Sequence, residues 1–238
     1  MSHTLGVREA RKRKTRQALL DAALRLLEEQ SLSSLGLREV TRAVGVAPAA
    51  FYRHFRDMAD LGVALVEEAL GSLHGMIRAL LAAEDGDGER IEGAVLAVAH
   101  HVRRHPAHVR FLARERHGGV RPVREAIAAQ LRLFGDEVAE AFAGQLSAEG
   151  WSREDIRMLA ELYVDHMVMT ATAFLEAQPV PRPDGGTEER PAGAEEATAG
   201  PRPPAGEEPL TEAEARIADT ARRQMWLIAT GRHHWRDG

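Results

Sequence analysis

Apolar residues recur along this chain at helical spacing. Leu37, Val40 and Val44 fall at i, i+3 and i+7, so residues 37–44 present one apolar face of a short helix. Gly45 is the residue type that accepts the left-handed backbone ending a helix. Pro48 suits a first helical position, because its ring presets φ and its missing N–H would have no partner there. A second helix therefore starts near Pro48, in which Phe51 and Phe55, four apart, turn inward and leave Ala49, Ala50, Tyr52 and Arg53 outside. Upstream, Leu20, Ala23, Leu24 and Leu27 form another helical stripe. Downstream, residues 57–81 read as a helix with Leu61, Leu65, Leu73, Ile77 and Leu80 on its buried side. An acidic loop follows at 82–90, then helical patterns at 91–105, 107–116, 121–146 and 153–177. Residues 179–209 hold eight of the eleven prolines and almost no large apolar side chain, which predicts a disordered loop before a last helix from Leu210 to about Trp235. No strand period appears. The pattern predicts an all-α chain with a three-helix N-terminal domain over 1–57 and a helical domain over 58–238.

Two short helices joined by a tight turn form the arrangement that lays one helix in the major groove of DNA, although an ordinary helical hairpin has the same pattern. Charge bears on the choice. Residues 11–16 read RKRKTR, five basic side chains in six positions. Residues 1–57 carry eleven Lys and Arg against six Asp and Glu, a net of +5. The remainder carries twenty against thirty, and the whole chain stands at −5. A chain that is negative overall repels DNA, so binding would have to be delivered by this one basic end. Taken alone, a basic run also reads as a solvated tail. The candidate DNA contacts are Arg13, Arg16, Leu37, Arg38, Ala47, Pro48, Ala49, Ala50, Tyr52, Arg53 and His54. Small residues at 49 and 50 admit a close backbone approach to base edges, Tyr52 can bond a phosphate or touch a thymine methyl, and Arg53 and His54 supply donors.

The first sixty-odd residues resemble the DNA-binding domain of the TetR family of bacterial transcriptional regulators, whose FYxHF-type motif appears here as Phe51, Tyr52, His54 and Phe55. The segments SLGLREVTRAVGVAPAAFYRHFRDMADLG and HPAHVRFLARER are similar to the branch of that family that represses unsaturated fatty acid synthesis and desaturase genes in response to long-chain acyl-CoA. The likeness runs through about residue 178 and resumes weakly near the C-terminus. It implies a homodimeric repressor on palindromic double-stranded operator DNA, with helices 153–177 and the last helix pairing across a twofold axis. The stripes offered for that pairing are Ile156, Leu159, Tyr163, Met167, Thr170 and Phe174, with Leu210, Ala213, Ile217, Ala221 and Ile228. These helices could instead pack only within one chain. Two departures stand out: Met58, Ala59 and Asp60 occupy the start of the fourth helix where many members carry a phosphate-binding Lys, and Gly36 stands where the branch commonly has Ser, leaving half a capping box with Glu39.

An effector pocket is expected in the second domain. Val95, Val98, Val102, Phe111, Leu112, Phe134, Met158, Leu162 and Met167 could line an elongated aliphatic cavity or could simply be core. Arg110, Arg114 and Arg116 could meet acyl-CoA phosphates, or form a solvated face paired to Glu115. Of these, Val98, Val102, Phe111, Arg114, Arg116, Phe134, Met158, Leu162 and Met167 are the expected ligand-binding set. A hydrophobic drug or toxic metabolite relieving repression of an efflux gene is the competing effector. Gly62, Gly71 and Gly75 each weaken a helix interior, so close packing or bending of helix 57–81 is expected, with pliability helping to carry the signal.

His100, His101, His105 and His108 cluster, and His101 with His105 has a zinc-like i, i+4 spacing. Pro106 disfavours helix at His105 and no carboxylate sits among them, so surface or interface histidines are expected and no metal. There is no cysteine, GxSxG, HExxH or glycine-rich phosphate loop, so neither an enzyme nor a cofactor is expected. A nonspecific architectural DNA protein would be basic throughout. Without an apolar run of membrane-spanning length or a signal-peptide core, the expected location is cytoplasmic, with no membrane partner.

Overall fold

A computed structural model describes residues 2–82, 86–178 and 209–232. Among them run α1 (Ser2–Leu26), α2 (Leu37–Val44), α3 (Pro48–Phe51), α4 (Met58–Ala82), α5 (Asp87–Arg104), α6 (Pro106–Glu115), α7 (Arg121–Ala148), α8 (Arg153–Glu176) and α9 (Glu212–Arg232), with no strand. The fold is all-α. The loop expected over about 179–209 lies, apart from Pro209, outside the described residues, as do the expected last residues of the final helix. No described helix is long and apolar enough to cross a membrane.

Helices α1 to α3 form a head around Leu20, Ala23, Leu27, Val40, Phe51 and Phe55, all buried. Each of the larger side chains contributes on the order of 1.5–3 kcal/mol when fully removed from water, so Phe51 anchors the short α3 and Phe55 the turns that follow it. Gly45 ends α2 at φ 72°, and its N–H and that of Val46 bond back to Arg42 and Thr41 carbonyls. Helix α3 is only one turn long. Beyond Phe51 the backbone continues as tight turns, with the His54 and Phe55 N–H groups both on the Phe51 carbonyl, and this still turns Phe55 inward. At the head of α2 the Gly36 N–H donates to Glu39 Oε2 at 2.8 Å, the half of the capping box that a glycine leaves possible.

Helix α4 leads away from the head with α5, α6 and α7 packed against it, α7 lying along both α4 and α8 and α9 against α5 and α8. Helix α5 begins at Asp87, earlier than its apolar period, because Glu89 takes the Gly86 N–H and two carboxylates favour the positive helix start. The head core continues without a break into Phe111, Val123, Ile127 and Phe134.

The glycines of α4 divide into two kinds. A Cβ at Gly62 would collide with the Leu32 side chain and come within 2.7 Å of Val123, so close packing requires glycine there. Around Gly71 and Gly75 the space is open, and packing does not account for them.

The stripes expected to pair across a twofold axis are used inside the chain. Ile156, Leu159, Tyr163, Thr170 and Phe174 of α8 are buried, and Ala221 of α9 is packed among α5 and α8 residues. The periodicity correctly marked buried faces, but neighbouring helices of the same chain cover them. A different face of α8 remains open, with Met158, Leu162 (50 % exposed) and Met169 (68 % exposed), and Trp226 and Leu227 of α9 are exposed as well.

Candidate functional site

The end of the head is built by α1 and the α2–α3 turn. Ala47, Pro48, Ala49, Tyr52 (63 % exposed) and Arg53 stand at the surface, Ala50 and His54 are half-buried, and Arg38 is exposed at the start of α2. Leu37 differs from the rest: it packs half-buried against the head core, as its place in the apolar stripe requires. Arg11, Lys12, Arg13 and Lys14 project into solvent from α1. Arg16 instead lies over the Phe55 ring, 5.1 Å from its centre, which fixes a cation directly behind the turn.

His54 reports the local field. Burial, and then the positive charges of Lys12, Arg16 and Arg53, hold its pKa below the usual histidine value, so three cations act on this one ring. Its Nδ1 is buried without a partner. Two further cations stand at this end of the head. Lys12 is brought to His54 by the fold, and Arg56 stands exposed at the mouth of α4, where its guanidinium and N–H hold Asp60 at 2.9 Å. Such a surface, cationic with small residues at its centre, suits a polyanion with a groove.

Below the head, α4 to α9 enclose a cavity of about 250 Å³. Its walls are nearly all aliphatic. Leu73, Ile77 and Leu80 of α4 are only half-buried because they face this space; their periodicity had marked them simply as core. Along α5 the lining runs from Asp87 to Val102, roughly 22 Å at 1.5 Å per residue, so the lined space is long. Val98, Val102, Leu112, Phe134, Met167 and Arg116 of the expected residues line it. Others do not. Phe111 and Val95 are packed into solid core, while Met158 and Leu162 lie on the outer face of α8.

Arg114 is the clearest correction. Its guanidinium donates to the carbonyls of Leu27 and Gln30, each at 2.7 Å, and of Glu28 at 3.2 Å. It thus closes the C-terminal end of α1 instead of lining the cavity, and the negative end of a helix is where a cation belongs. Arg110 sits 3.7 Å from Glu28, and buried Glu115 accepts the Leu32 N–H at 2.9 Å. Glu115 is therefore occupied by backbone, not paired with these arginines on a solvated face. One side of α6, with Val109, Leu112, Ala113 and Arg116, faces the cavity while the other grips the head.

His101 was expected at a surface or interface. Helix α5 instead aims it at the cavity, where its Nε2 is buried without a partner. Its ring lies 5.0 Å from His105, which lies 5.8 Å from His108. Helix α5 ends at His105, before Pro106. No group of three or more His, Asp or Glu placed to hold a metal occurs among the described residues.

Residues 19–65 match the family model for bacterial regulatory proteins of the tetR family. The chain is 41 % identical over 136 residues to a protein of Haemophilus influenzae described as an uncharacterized HTH-type transcriptional regulator, a match spanning 57 % of this chain and 66 % of that protein. Among solved structures it resembles the transcriptional regulator FadR from Bacillus subtilis in complex with stearoyl-CoA (TM-score 0.51, 15 % identity, 67 % of this chain and 95 % of that one). It also resembles NalD of Pseudomonas aeruginosa, the secondary repressor of a multidrug efflux pump (TM-score 0.55, 20 % identity, 70 % and 87 %). Likeness at this level of identity establishes a shared fold.

Proposed function

We infer that this chain, which carries the N-terminal segment of the tetR family of bacterial regulatory proteins, is a sequence-specific transcriptional repressor that a long-chain acyl-CoA releases from or fixes on DNA. The observation that carries this reading is the pairing of two sites in one chain: an exposed cationic turn and a long aliphatic cavity, joined through α6. In the reading, α3 enters the major groove with Ala49 and Ala50 against base edges and Tyr52, Arg53 and His54 as donors. The α1 cations and Arg38 meet flanking phosphates. Fixed phosphate contacts set the register, and the cations alone give a steep salt dependence.

An aliphatic lining that runs along most of α5, with few aromatic faces to stack a planar drug, suits an alkyl tail. Arg116, half-exposed and 3.2 Å from Asp165, is placed to exchange that carboxylate for a phosphate at the cavity edge. Stearoyl-CoA in the FadR neighbour supports this ligand class. A tail entering beside Val109 and Leu112 would displace α6 and, through Arg114 and Glu115, the end of α1. Coupling between two such sites typically amounts to about 1–3 kcal/mol.

In this reading the exposed apolar residues of α8 and α9 pair with those of a second copy of the chain. Two heads related by a twofold axis then read a palindrome whose half-sites lie about 34–36 Å apart. A second reading, repression of an efflux gene by a sensor of hydrophobic compounds, is favoured by the likeness to NalD and by the few polar groups in the cavity. Gel shifts with DNA from the region upstream of its own reading frame, with and without stearoyl-CoA and oleoyl-CoA, test the proposal. Tyr52→Phe and Arg53→Ala should both weaken the shift. Unchanged DNA affinity in both variants would overturn the assignment of the reading turn, and indifference to every acyl-CoA would favour the second reading.

A further inference from the structure

Only a few polar side chains border the cavity, and most of them are engaged elsewhere. Arg116 is held by Asp165, and Arg232 by Asp87 at 2.7 Å. The Thr172 hydroxyl donates to the Val168 carbonyl at 3.0 Å. His101 has no such partner: its Nε2, like the Nε of the otherwise paired Arg232, is shielded from water and makes no hydrogen bond. A buried polar atom left in this condition costs on the order of 1–3 kcal/mol, and a ligand group that shifts the covering side chains and bonds it recovers that cost. Aliphatic neighbours such as Val98 and Val102 offer it nothing.

The neighbours of His101 also decide what it can recognise. His105 and His108 stand in a row behind it, and His108 Nε2 lies 3.5 Å from Glu68 of α4. Burial first, then repulsion from His105 and His108, brings the His101 pKa down to about 4, so at neutral pH it presents an uncharged imidazole. An uncharged imidazole offers one donor or one acceptor to an uncharged partner. Arg116 and Arg232 of the lining are held by Asp165 and Asp87, and the charges that act on His101 are those of His105 and His108, so a carboxylate placed against this ring would be desolvated without an arginine to meet it there.

We propose that His101 is the polar recognition point of the cavity, and that it selects ligands with a long apolar chain bearing one uncharged hydrogen-bonding group, a hydroxyl or a carbonyl of ester or thioester type. This rests on the reading of the cavity as the effector site and narrows it. The imidazole then sets the depth at which the chain stops. Hydrocarbon contacts supply the bulk of affinity, and the hydrogen bond supplies selectivity, because a ligand without such a group leaves Nε2 as it is now.

The test compares 1-dodecanol, methyl laurate, n-dodecane and sodium laurate as competitors of the fluorescent apolar probe N-phenyl-1-naphthylamine at neutral pH. In the natural protein the alcohol and the ester should compete about tenfold more tightly than the alkane, one well-made hydrogen bond's worth. His101→Leu should bring alcohol, ester and alkane to near equality while alkane affinity stays level or rises, which itself shows an intact cavity. His101→Asn should keep part of the preference. Survival of the full alcohol preference in His101→Leu, or no preference in the natural protein, overturns the proposal while leaving the effector cavity standing. Tighter binding of laurate than of dodecanol, abolished by His101→Leu, refutes the uncharged class. If no competitor displaces the probe and acyl-CoA leaves the gel shift unchanged, the cavity reading itself falls along with the proposal.

Discussion

Replacing Arg114 tests the physical link between the cavity and the head. Its guanidinium makes three charge-assisted bonds to the carbonyls of Leu27, Gln30 and Glu28, two of them at 2.7 Å. Hydrogen bonds to charged groups contribute about 1.5–3 kcal/mol each when buried. Two here are partly buried and the third is exposed, so Arg114→Ala should destabilise the protein by about 3 kcal/mol. For a chain of this length that lowers the thermal midpoint by roughly 6–12 °C. Arg114→Lys should recover less than half of the loss, because an ammonium cannot reach three carbonyls held in a planar fork. Arg110→Ala serves as the control: its contact to Glu28 spans 3.7 Å on a partly exposed surface and contributes at most about 1 kcal/mol. Calorimetry or urea melts measure these values, and hydrogen exchange should locate the Arg114→Ala loss at the end of α1. An Arg114→Ala midpoint within a degree or two of the natural protein would refute the argument that this side chain fastens the head.

Gly62→Ala should cost about 1–3 kcal/mol by overpacking against Leu32 and Val123, whereas Gly71→Ala and Gly75→Ala, in open space on the same helix, should each stabilise by up to about 1 kcal/mol; denaturant melts that rank the three equally would contradict this. The His101 pKa is depressed in the fold, so between pH 6.5 and about 4 the unfolded chain binds a proton that the folded one refuses. Stability should therefore be full above pH 6.5 and fall by on the order of 1–2 kcal/mol across that window after allowance for solvent access, and His101→Leu should flatten this part of the curve. Glu214, brought to about 2 chiefly by its bond to Arg103, adds a loss of the same sign only below its ordinary value near 4.5, so Glu214→Gln should alter the curve at lower pH. Leu162→Arg on the open face of α8 should yield a monomer by sedimentation with little change in helicity; an unaltered dimer would place the interface elsewhere.

Local rules were enough to read the head from the chain. Leu20, Phe51 and Phe55 announced their burial by spacing, and Gly45 and Pro48 announced the turn, because each acts through its own backbone or its neighbours one turn away. The helix boundaries in the second half were legible for the same reason, apart from the early start of α5, where Glu89 capping outweighs the apolar period. Periodicity also showed that Ile156, Leu159 and Phe174 are buried, but it carries no information on which surface buries them, and they went to neighbouring helices of this chain. Arg114, Arg110 and Glu115 looked like a charged face because their partners lie more than eighty residues away, as backbone carbonyls, a carboxylate and an N–H that no pattern displays. His101 looked like a surface residue because the apolar cavity it borders is assembled from six different helices. Sequence determines what each helix must hide. Only packing decides whether the hidden face meets solid core, a cavity or another element, because that outcome depends on distances between residues far apart in the chain.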